Sequence, residues 1–176
     1  MMTKDDMINH LIGRGMDPTL YPIAYSEEDQ TITFLLFNGI GDLVGYQQYR
    51  PTVDEKKKKN DPKDGRYFTY LKNDKDGVFG WDLIDPSKRT IYVVEGVFKA
   101  SVLHRLGFNA IAVLTSTPKR LKPWFRILRQ TWNLIAIGDN DDAGQKLINI
   151  VGKGVKSPID LDEMKDIDII RLLSDI

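Results

Sequence analysis

The sequence of 176 residues contains no cysteine and only two histidines, His10 and His104. Without cysteine the chain can form neither a disulfide nor a zinc site with thiolate ligands. Two histidines so far apart in sequence also argue against a histidine-rich metal site. No hydrophobic run is long enough to span a membrane, and the N-terminal segment MMTKDDMINHLIG lacks a signal-peptide core. We therefore expect a cytoplasmic protein without a membrane segment.

An excess of one charge is also missing, because 25 Lys and Arg residues balance 25 Asp and Glu residues. This balance argues against strong nonspecific nucleic-acid binding by the chain alone, although a local basic strip is compatible with it. The one strongly basic run, Lys56 to Lys59, lies in the segment 51–65, which has almost no apolar residues that could be buried. The segment predicts a mobile basic loop, whose lysines suit solubility and phosphate contact about equally.

The first half of the sequence predicts a small lobe rich in β-structure. A short helix is expected over 4–15, and two strands over 31–37 and 42–49 flank the turn NGIG at 38–41, which is a hairpin signal. Apolar structure resumes at 66–71 and 78–84.

From residue 90 the pattern changes to alternating strands and helices. Strands are predicted at 90–94, 110–114 and 133–138, and helices at 97–107, 121–130 and 142–151. After Gly154 a short connector leads to a final acidic helix over 160–176. Such alternation indicates βαβ units and a parallel sheet covered on both faces. We therefore expect an α/β protein with two domains, a mixed lobe over 1–88 and a parallel-sheet domain over 89–176.

Acidic residues directly follow two of the predicted parallel strands. Glu95 follows the first, and Asp139 and Asp141 follow the third. Ligands of parallel sheets bind beyond the carboxyl ends of the strands, so these acids converge if the two strands are neighbours. Like charges at about 4 Å repel by roughly 1 kcal/mol even in water, and carboxylate oxygens suit Mg²⁺ or Mn²⁺. Gly96 and Gly144 lack side chains and would let backbone and phosphates approach closely.

A purely structural reading of the second acidic stretch is that it caps a helix. Asp142 as the N-cap of a helix over 143–151 would explain one acid. It would explain neither Asp139 and Asp141 nor the matching Glu95 after another strand, so we favour the metal site.

The motifs IYVVEG at 91–96 and LIAIGDNDDAG at 134–144 resemble the signature of the Toprim domain. This domain is shared by DnaG-type primases, topoisomerases and several nucleases. The stretches DLVGYQQYR at 42–50 and GRYFTYLKNDKDGVFGWDL at 65–83 are similar to the lobe that precedes it in phage-type primases. The resemblance implies a Toprim-like parallel sheet flanked by helices, preceded by a small β-rich N-terminal lobe.

The resemblance also implies roles for individual residues. Glu95, Asp139 and Asp141 would be catalytic and would hold the divalent metal, and Asp160 would be a fourth, outer acid. The residues implied in binding template or nucleotide phosphates are all cationic, namely Arg50, Arg66, Lys72, Lys75 and Lys99.

Lys99 is a departure from the family, which usually has a second acid four residues after the glutamate. On one helix face, Lys99 would pair with Glu95 at the i,i+4 spacing, where it would either compete with a metal or simply fill the place that the missing acid leaves. A second departure is the missing cysteine-rich zinc module. The segment GKGVKS at 152–157 also has the wrong spacing for the phosphate loop of a helicase.

The activity implied by the resemblance is that of a DNA primase core of the kind found in phage DNA replication. It would make short RNA primers from nucleoside triphosphates on single-stranded DNA with Mg²⁺ or Mn²⁺. A helicase or a zinc-module protein in a replication complex would then supply unwinding and template recognition. Two alternatives stay open: a Toprim nuclease that cleaves nucleic acid, and a non-catalytic nucleic-acid-binding or replisome assembly subunit.

Overall fold

The structure is a computed structural model, and it describes residues 1–55, 61–74, 76–115 and 117–176. By contacts the chain divides into two compact units, Met1–Gly77 and Val78–Ile176. Residues 78–88, which the sequence pattern assigned to the first lobe, belong by contacts to the second unit. The basic run Lys56 to Lys59 and Lys75 lie outside the described residues.

The first unit consists of one helix and a four-stranded antiparallel sheet. Helix α1 spans Lys4–Gly13, and the strands are β1 (Ile23–Ser26), β2 (Thr31–Phe37), β3 (Leu43–Tyr49) and β4 (Tyr67–Leu71), in the order β1-β2-β3-β4. A capping box begins α1, because Thr3 and Asp6 bind each other's backbone N–H groups through their side chains. The hairpin β2–β3 confirms the predicted turn at 38–41.

Burial in the first unit follows the two-residue period of a sheet with one covered face. In β2, Ile32, Phe34 and Leu36 are buried, whereas the residues between them are half-buried. Met7 and Leu11 of α1 are also fully buried. The alternation in the sequence therefore reports one apolar face.

The second unit is a four-stranded parallel sheet with connecting helices. Its elements are β5 (Thr90–Val94), α2 (Val97–Arg105), β6 (Ala110–Ala112), α3 (Lys122–Leu128), β7 (Asn133–Gly138), α4 (Asp142–Val151), β8 (Gly154–Lys156) and α5 (Asp166–Ser174). The strand order is β6-β5-β7-β8, with each neighbouring pair parallel. The predicted α/β class, with a β-rich lobe ahead of a parallel sheet flanked by helices, is confirmed.

The two central strands of this sheet are buried without interruption, over residues 91–94 in β5 and 134–138 in β7. Continuous burial is what a parallel strand shows when both faces of its sheet are covered. Phe125 of α3 and Leu147 of α4 pack in the same apolar cluster as Ile91 and Leu134. This cluster is the core on one face of the parallel sheet.

Several predicted elements differ from those observed. Strands β1 and β8 were not predicted, because four and three residues are too few to show a period. The predicted apolar segment 78–84 contains a 3₁₀ turn at Trp81–Leu83 and a single bridge from Phe79 to Ala112. The predicted final helix is a 3₁₀ turn at Leu161–Glu163 followed by α5. Within the described residues no helix has the length and apolarity needed to cross a membrane.

Candidate active site

The strands that precede Glu95 and Asp139 are neighbours in the sheet. β5 and β7 pair in parallel, with Val93 opposite Ala136. Continued two residues further, this register brings Glu95 level with Gly138, one residue before Asp139. Parallel neighbours end at the same edge of a sheet, so the backbone places both acids at its carboxyl edge. The sequence predicted that these acids converge if their two strands are neighbours, and the strands are neighbours.

Asp141 has a structural task as well as a candidate catalytic one. It is the N-cap of α4, and its carboxylate accepts a hydrogen bond from the backbone N–H of Gly144 at 2.7 Å. The prediction that Asp142 is the cap was wrong, because Asp142 is already the first residue of the helix. A side-chain cap satisfies an N–H group that has no partner within the helix, and a carboxylate there also interacts favourably with the helix dipole.

Two glycines hold the start of α4 close to the end of β7. A Cβ atom on Gly144 would lie 2.1 Å from the carbonyl oxygen of Asp139, and one on Gly138 would lie 2.4 Å from the carbonyl oxygen of Gly144. Any side chain here would push the backbone of Asp139 away. Gly96 differs, because a Cβ there would meet nothing within 4 Å. The close approach expected at both Gly96 and Gly144 is thus a backbone requirement only at Gly144.

The backbone of Glu95 is hydrogen-bonded to a residue in a strained conformation, Leu114. The N–H group of Leu114 donates to the carbonyl oxygen of Glu95 at 2.7 Å, and Leu114 has a φ of +62°. A left-handed conformation costs a non-glycine residue roughly 1–2 kcal/mol, and such residues cluster at functional sites. Nothing in the sequence around Leu114 signals this conformation.

Asp160 reaches the same edge through a strand that the sequence did not reveal. β8 pairs with β7 so that Lys156 lies opposite Gly138, and the N–H group of Ser157 donates to Gly138 at 2.8 Å. Asp160 follows four residues after β8 and is the N-cap residue of the 3₁₀ turn at Leu161–Glu163. Its position near the other acids therefore depends on β8.

Lys99 joins two of these acids. Its ammonium group donates to the carboxylate of Asp139 and lies 3.1 Å from an oxygen of Asp160. The side chain of Lys99 is 13% exposed, whereas those of Asp139 and Asp160 are 32% and 50% exposed. Glu95 precedes α2, which begins at Val97, so the helical i,i+4 relation predicted between Glu95 and Lys99 is absent.

The two carboxylates keep Lys99 charged. Burial by itself lowers the pKa of this amine, but the hydrogen bonds and charges of Asp139 and Asp160 outweigh burial and raise the pKa above its ordinary value. A permanent cation therefore lies at the acidic edge of the sheet.

The candidate phosphate-binding arginines lie in the first unit. Arg50 directly follows β3, and Arg66 directly precedes β4. The backbone N–H group of Arg50 donates to the carbonyl oxygen of Arg66 at 2.9 Å. The guanidinium of Arg66 donates to the carbonyl oxygen of Val53 at 2.6 Å and lies 3.5 Å from fully exposed Asp54. Lys72 is exposed beyond the other end of β4.

The candidate metal ligands suit a divalent cation in their chemistry. Glu95, Asp139 and Asp141 offer only hard carboxylate oxygens, which Mg²⁺ and Mn²⁺ prefer. The ammonium group of Lys99 is hydrogen-bonded to the carboxylate of Asp139. Within residues 1–55, 61–74, 76–115 and 117–176, no three possible metal ligands lie close enough together to form a site.

No family model matches the sequence, and no curated protein matches it. Solved structures do match. The zinc-binding and RNA polymerase domains of the Aquifex aeolicus primase align with a TM-score of 0.68 at 18% identity, over 98% of this chain and 56% of that one. The primase fragment of the bacteriophage T7 primase-helicase aligns with a TM-score of 0.67 at 16% identity, over 93% of this chain and 71% of that one. The chain has the fold of a primase catalytic core.

A third primase structure, the DnaG catalytic domain bound to single-stranded DNA, aligns with a TM-score of 0.60 at 16% identity, over 98% of this chain and 61% of that one. The primase fold therefore extends over both units, including the antiparallel lobe. The chain spans a little over half the length of the Aquifex aeolicus primase structure, which comprises the zinc-binding and RNA polymerase domains. At these identities the fold is what is shared, and the resemblance to DnaG-type and phage primase cores seen in the sequence is confirmed at that level.

Proposed function

We propose that the chain is the catalytic core of a DNA primase, which joins nucleoside triphosphates into short RNA primers on single-stranded DNA. The observation that carries the proposal is the placement of Glu95 and Asp139 after neighbouring parallel strands of a primase fold. The N-terminal lobe supports it further, because the matched primase structures extend over that lobe as well.

The proposed reaction is nucleotidyl transfer. The 3′-hydroxyl of one nucleotide attacks the α-phosphate of the next, a phosphodiester bond forms, and pyrophosphate leaves. Glu95, Asp139 and Asp141 would hold Mg²⁺ or Mn²⁺, which when bound polarises the α-phosphate and offsets the charge on pyrophosphate. The close contact at Gly144 and the helix cap hold the backbone of Asp139 and Asp141 in place, which supports their proposed role as ligands.

Binding of phosphates is proposed for the cations of the first unit. Arg50 and Arg66 are the main candidates, with Lys72 and Lys75 as further ones, because a guanidinium can grip two phosphate oxygens at once. Asp54 holds Arg66 only loosely, since this carboxylate is fully exposed and an exposed ion pair is weak. The guanidinium of Arg66 can therefore exchange Asp54 for a phosphate. Lys99 has two carboxylate partners, and we assign it a different role below.

The proposed partners follow from the same reading. The substrates would be a single-stranded DNA template and nucleoside triphosphates. A helicase or a zinc-module protein would supply unwinding and template recognition inside a phage replication complex. Because the chain has no net charge, nonspecific electrostatic attraction adds little to its affinity for DNA. This favours a chain that is recruited to DNA by such a complex.

The test is primer synthesis from labelled ribonucleoside triphosphates on single-stranded DNA, with Mg²⁺ or Mn²⁺ and with candidate helicase or zinc-module partners added. We expect labelled oligoribonucleotides, and a loss of at least about 100-fold in Glu95→Gln, Asp139→Asn and Asp141→Asn. Asparagine also caps helices well, so Asp141→Asn removes the charge while it keeps the start of α4. Asp142→Asn, an exposed acid of the same helix turn, is the matched control and should stay within about twofold.

Two outcomes would contradict the proposal. Shortened template without labelled product would indicate a nuclease that uses the same acids on water. Primer synthesis by a reconstituted complex that is undiminished in Glu95→Gln and Asp139→Asn would indicate a non-catalytic assembly subunit.

A further inference from the structure

The acidic edge of the parallel sheet already contains a cation that belongs to the chain. Lys99, on the first turn of α2, donates to Asp139 and lies 3.1 Å from Asp160. These two acids come from different segments, one directly after β7 and one after β8. A single ammonium group therefore links three segments of the second unit.

An ammonium group and a divalent ion make the same demand on these carboxylates. Each needs the oxygen lone pairs of Asp139, and two cations a few ångströms apart repel each other. Lys99 is largely shielded from water, so solvent weakens this competition less than at an exposed ion pair.

We propose that Lys99 is a resident cation that fills the position between Asp139 and Asp160 and keeps divalent ions out of it. The inference rests on the proposed function, and it deepens that function by assigning how many divalent ions the site accepts. A divalent ion is then limited to the side of the site formed by Glu95 and Asp141, where it can share only the Asp139 oxygen that Lys99 does not contact. The protein binds Mg²⁺ or Mn²⁺ more weakly than the same acids would without Lys99.

A merely structural ion pair has different consequences. α2 carries a second such pair, in which Arg105 binds Asp166 through two hydrogen bonds of 2.7 and 2.8 Å. Both pairs connect α2 to the C-terminal segment, but only the pair made by Lys99 involves proposed metal ligands. Arg105 therefore serves as the matched control, since its loss removes a tether of the same helix without freeing a metal ligand.

The test is direct binding of Mn²⁺ to the full chain, followed by the electron paramagnetic resonance signal of the free ion. In Lys99→Met the two aspartates lose their ammonium partner, and we expect Mn²⁺ to bind at least about tenfold more tightly than to the unaltered chain. Lys99→Arg keeps the positive charge and should leave binding weak. Arg105→Met should stay within about twofold of the unaltered chain.

A double variant locates the effect. If the tighter binding arises at the freed aspartates, adding Asp139→Asn to Lys99→Met should remove most of the gain. Circular dichroism shows whether each variant is folded. Should Lys99→Met not fold, Lys99→Gln, which is uncharged and still donates a hydrogen bond, takes its place with the same expected gain in affinity. Equal Mn²⁺ affinity in the unaltered chain and in the folded neutral variant overturns the inference.

The two proposals fail in different ways. Primer synthesis by the unaltered chain together with no gain in Mn²⁺ affinity removes the role of Lys99 and leaves the primase proposal standing. A gain in Mn²⁺ affinity that requires Asp139, with no primer synthesis under any condition, leaves the resident cation standing and removes the primase proposal.

Discussion

The two sheets place their candidate functional residues in different ways. In the parallel sheet every strand ends at the same edge, so Glu95 and Asp139, 44 residues apart in the sequence, follow neighbouring strands at one edge. In the antiparallel sheet successive strands run in opposite directions. Arg50 and Arg66 therefore lie at one end of β4, and Lys72 lies beyond the other end. A parallel sheet can gather residues from distant sequence positions, whereas a hairpin gathers residues that are near in sequence.

Burial differs between the sheets in a way that follows from the same topology. The connecting helices of βαβ units cover both faces of the parallel sheet, and β5 and β7 are buried along almost their whole length. The hairpin strands need no crossover, and β2 is fully buried on one face only. A rigid, fully covered sheet is the better support for catalytic groups that must be held in place.

The largest expected effect tests this difference in burial. Leu134→Ala and Ile135→Ala change opposite faces of β7, and both residues are buried, so each should cost about 2–5 kcal/mol of unfolding free energy. In β2, Leu36→Ala should cost as much, but Leu35→Ala, at a half-buried position, only about 1 kcal/mol. Urea denaturation measures all four. Equal costs for Leu35 and Leu36 would remove the contrast between the two sheets.

A medium effect is expected from the glycine at the start of α4. Gly144→Ala brings a Cβ to 2.1 Å from the carbonyl oxygen of Asp139, and rigid backbone must move, so we expect a loss of about 1–3 kcal/mol and a displaced Asp139. In the first unit, Gly13→Ala is the matched control, because its Cβ meets nothing within 4 Å and alanine favours a helix. Thermal unfolding and primer synthesis are the measurements. A Gly144→Ala variant as stable and as active as the unaltered chain would show that the close approach is unimportant.

The smallest effect concerns pH, and each unit contributes one histidine. Burial lowers the pKa of His104, whose ring N–H donates to the carbonyl oxygen of Ala110 at 2.8 Å. Burial and the charge of Arg14 lower the pKa of His10, which hydrogen-bonds to the hydroxyl of Tyr49 at 2.8 Å. Both rings are therefore held neutral in the folded chain, and the unfolded chain binds protons more readily than the folded one.

The two neutral histidines contribute fully to the free energy of unfolding above about pH 6.5, the pKa of histidine in the unfolded chain. This contribution is lost as the pH falls from there toward the lowered pKa values of the folded chain. We expect the free energy of unfolding to decrease between pH 7.5 and pH 5.5. His104→Gln should flatten this decrease more than His10→Gln, because His104 is the more deeply buried. Proton NMR titration of the two rings checks the assignment, and an unshifted His104 would contradict it.

The sequence predicted the βαβ order and the acids well for a local reason. A strand of five or six apolar residues followed by an amphipathic helix is visible in a short window, and Glu95 and Asp139 directly follow such strands. Strand β8 was not predicted, because its three residues are too few to show a period. Without β8, the sequence could not show why Asp160 lies at this edge of the sheet. It also assigned the cap of α4 to Asp142 in place of Asp141, an error of one residue at a helix boundary.

By itself the sequence determined which residue types follow which strands, because strand and helix periods are properties of adjacent residues. Only the tertiary structure decided that β5 and β7 are neighbours, that Leu114 adopts a left-handed conformation, and that Lys99 pairs with Asp139 rather than forming the helical pair predicted with Glu95. Strand order and side-chain pairing depend on which distant segments pack together, and a linear pattern does not encode that choice locally.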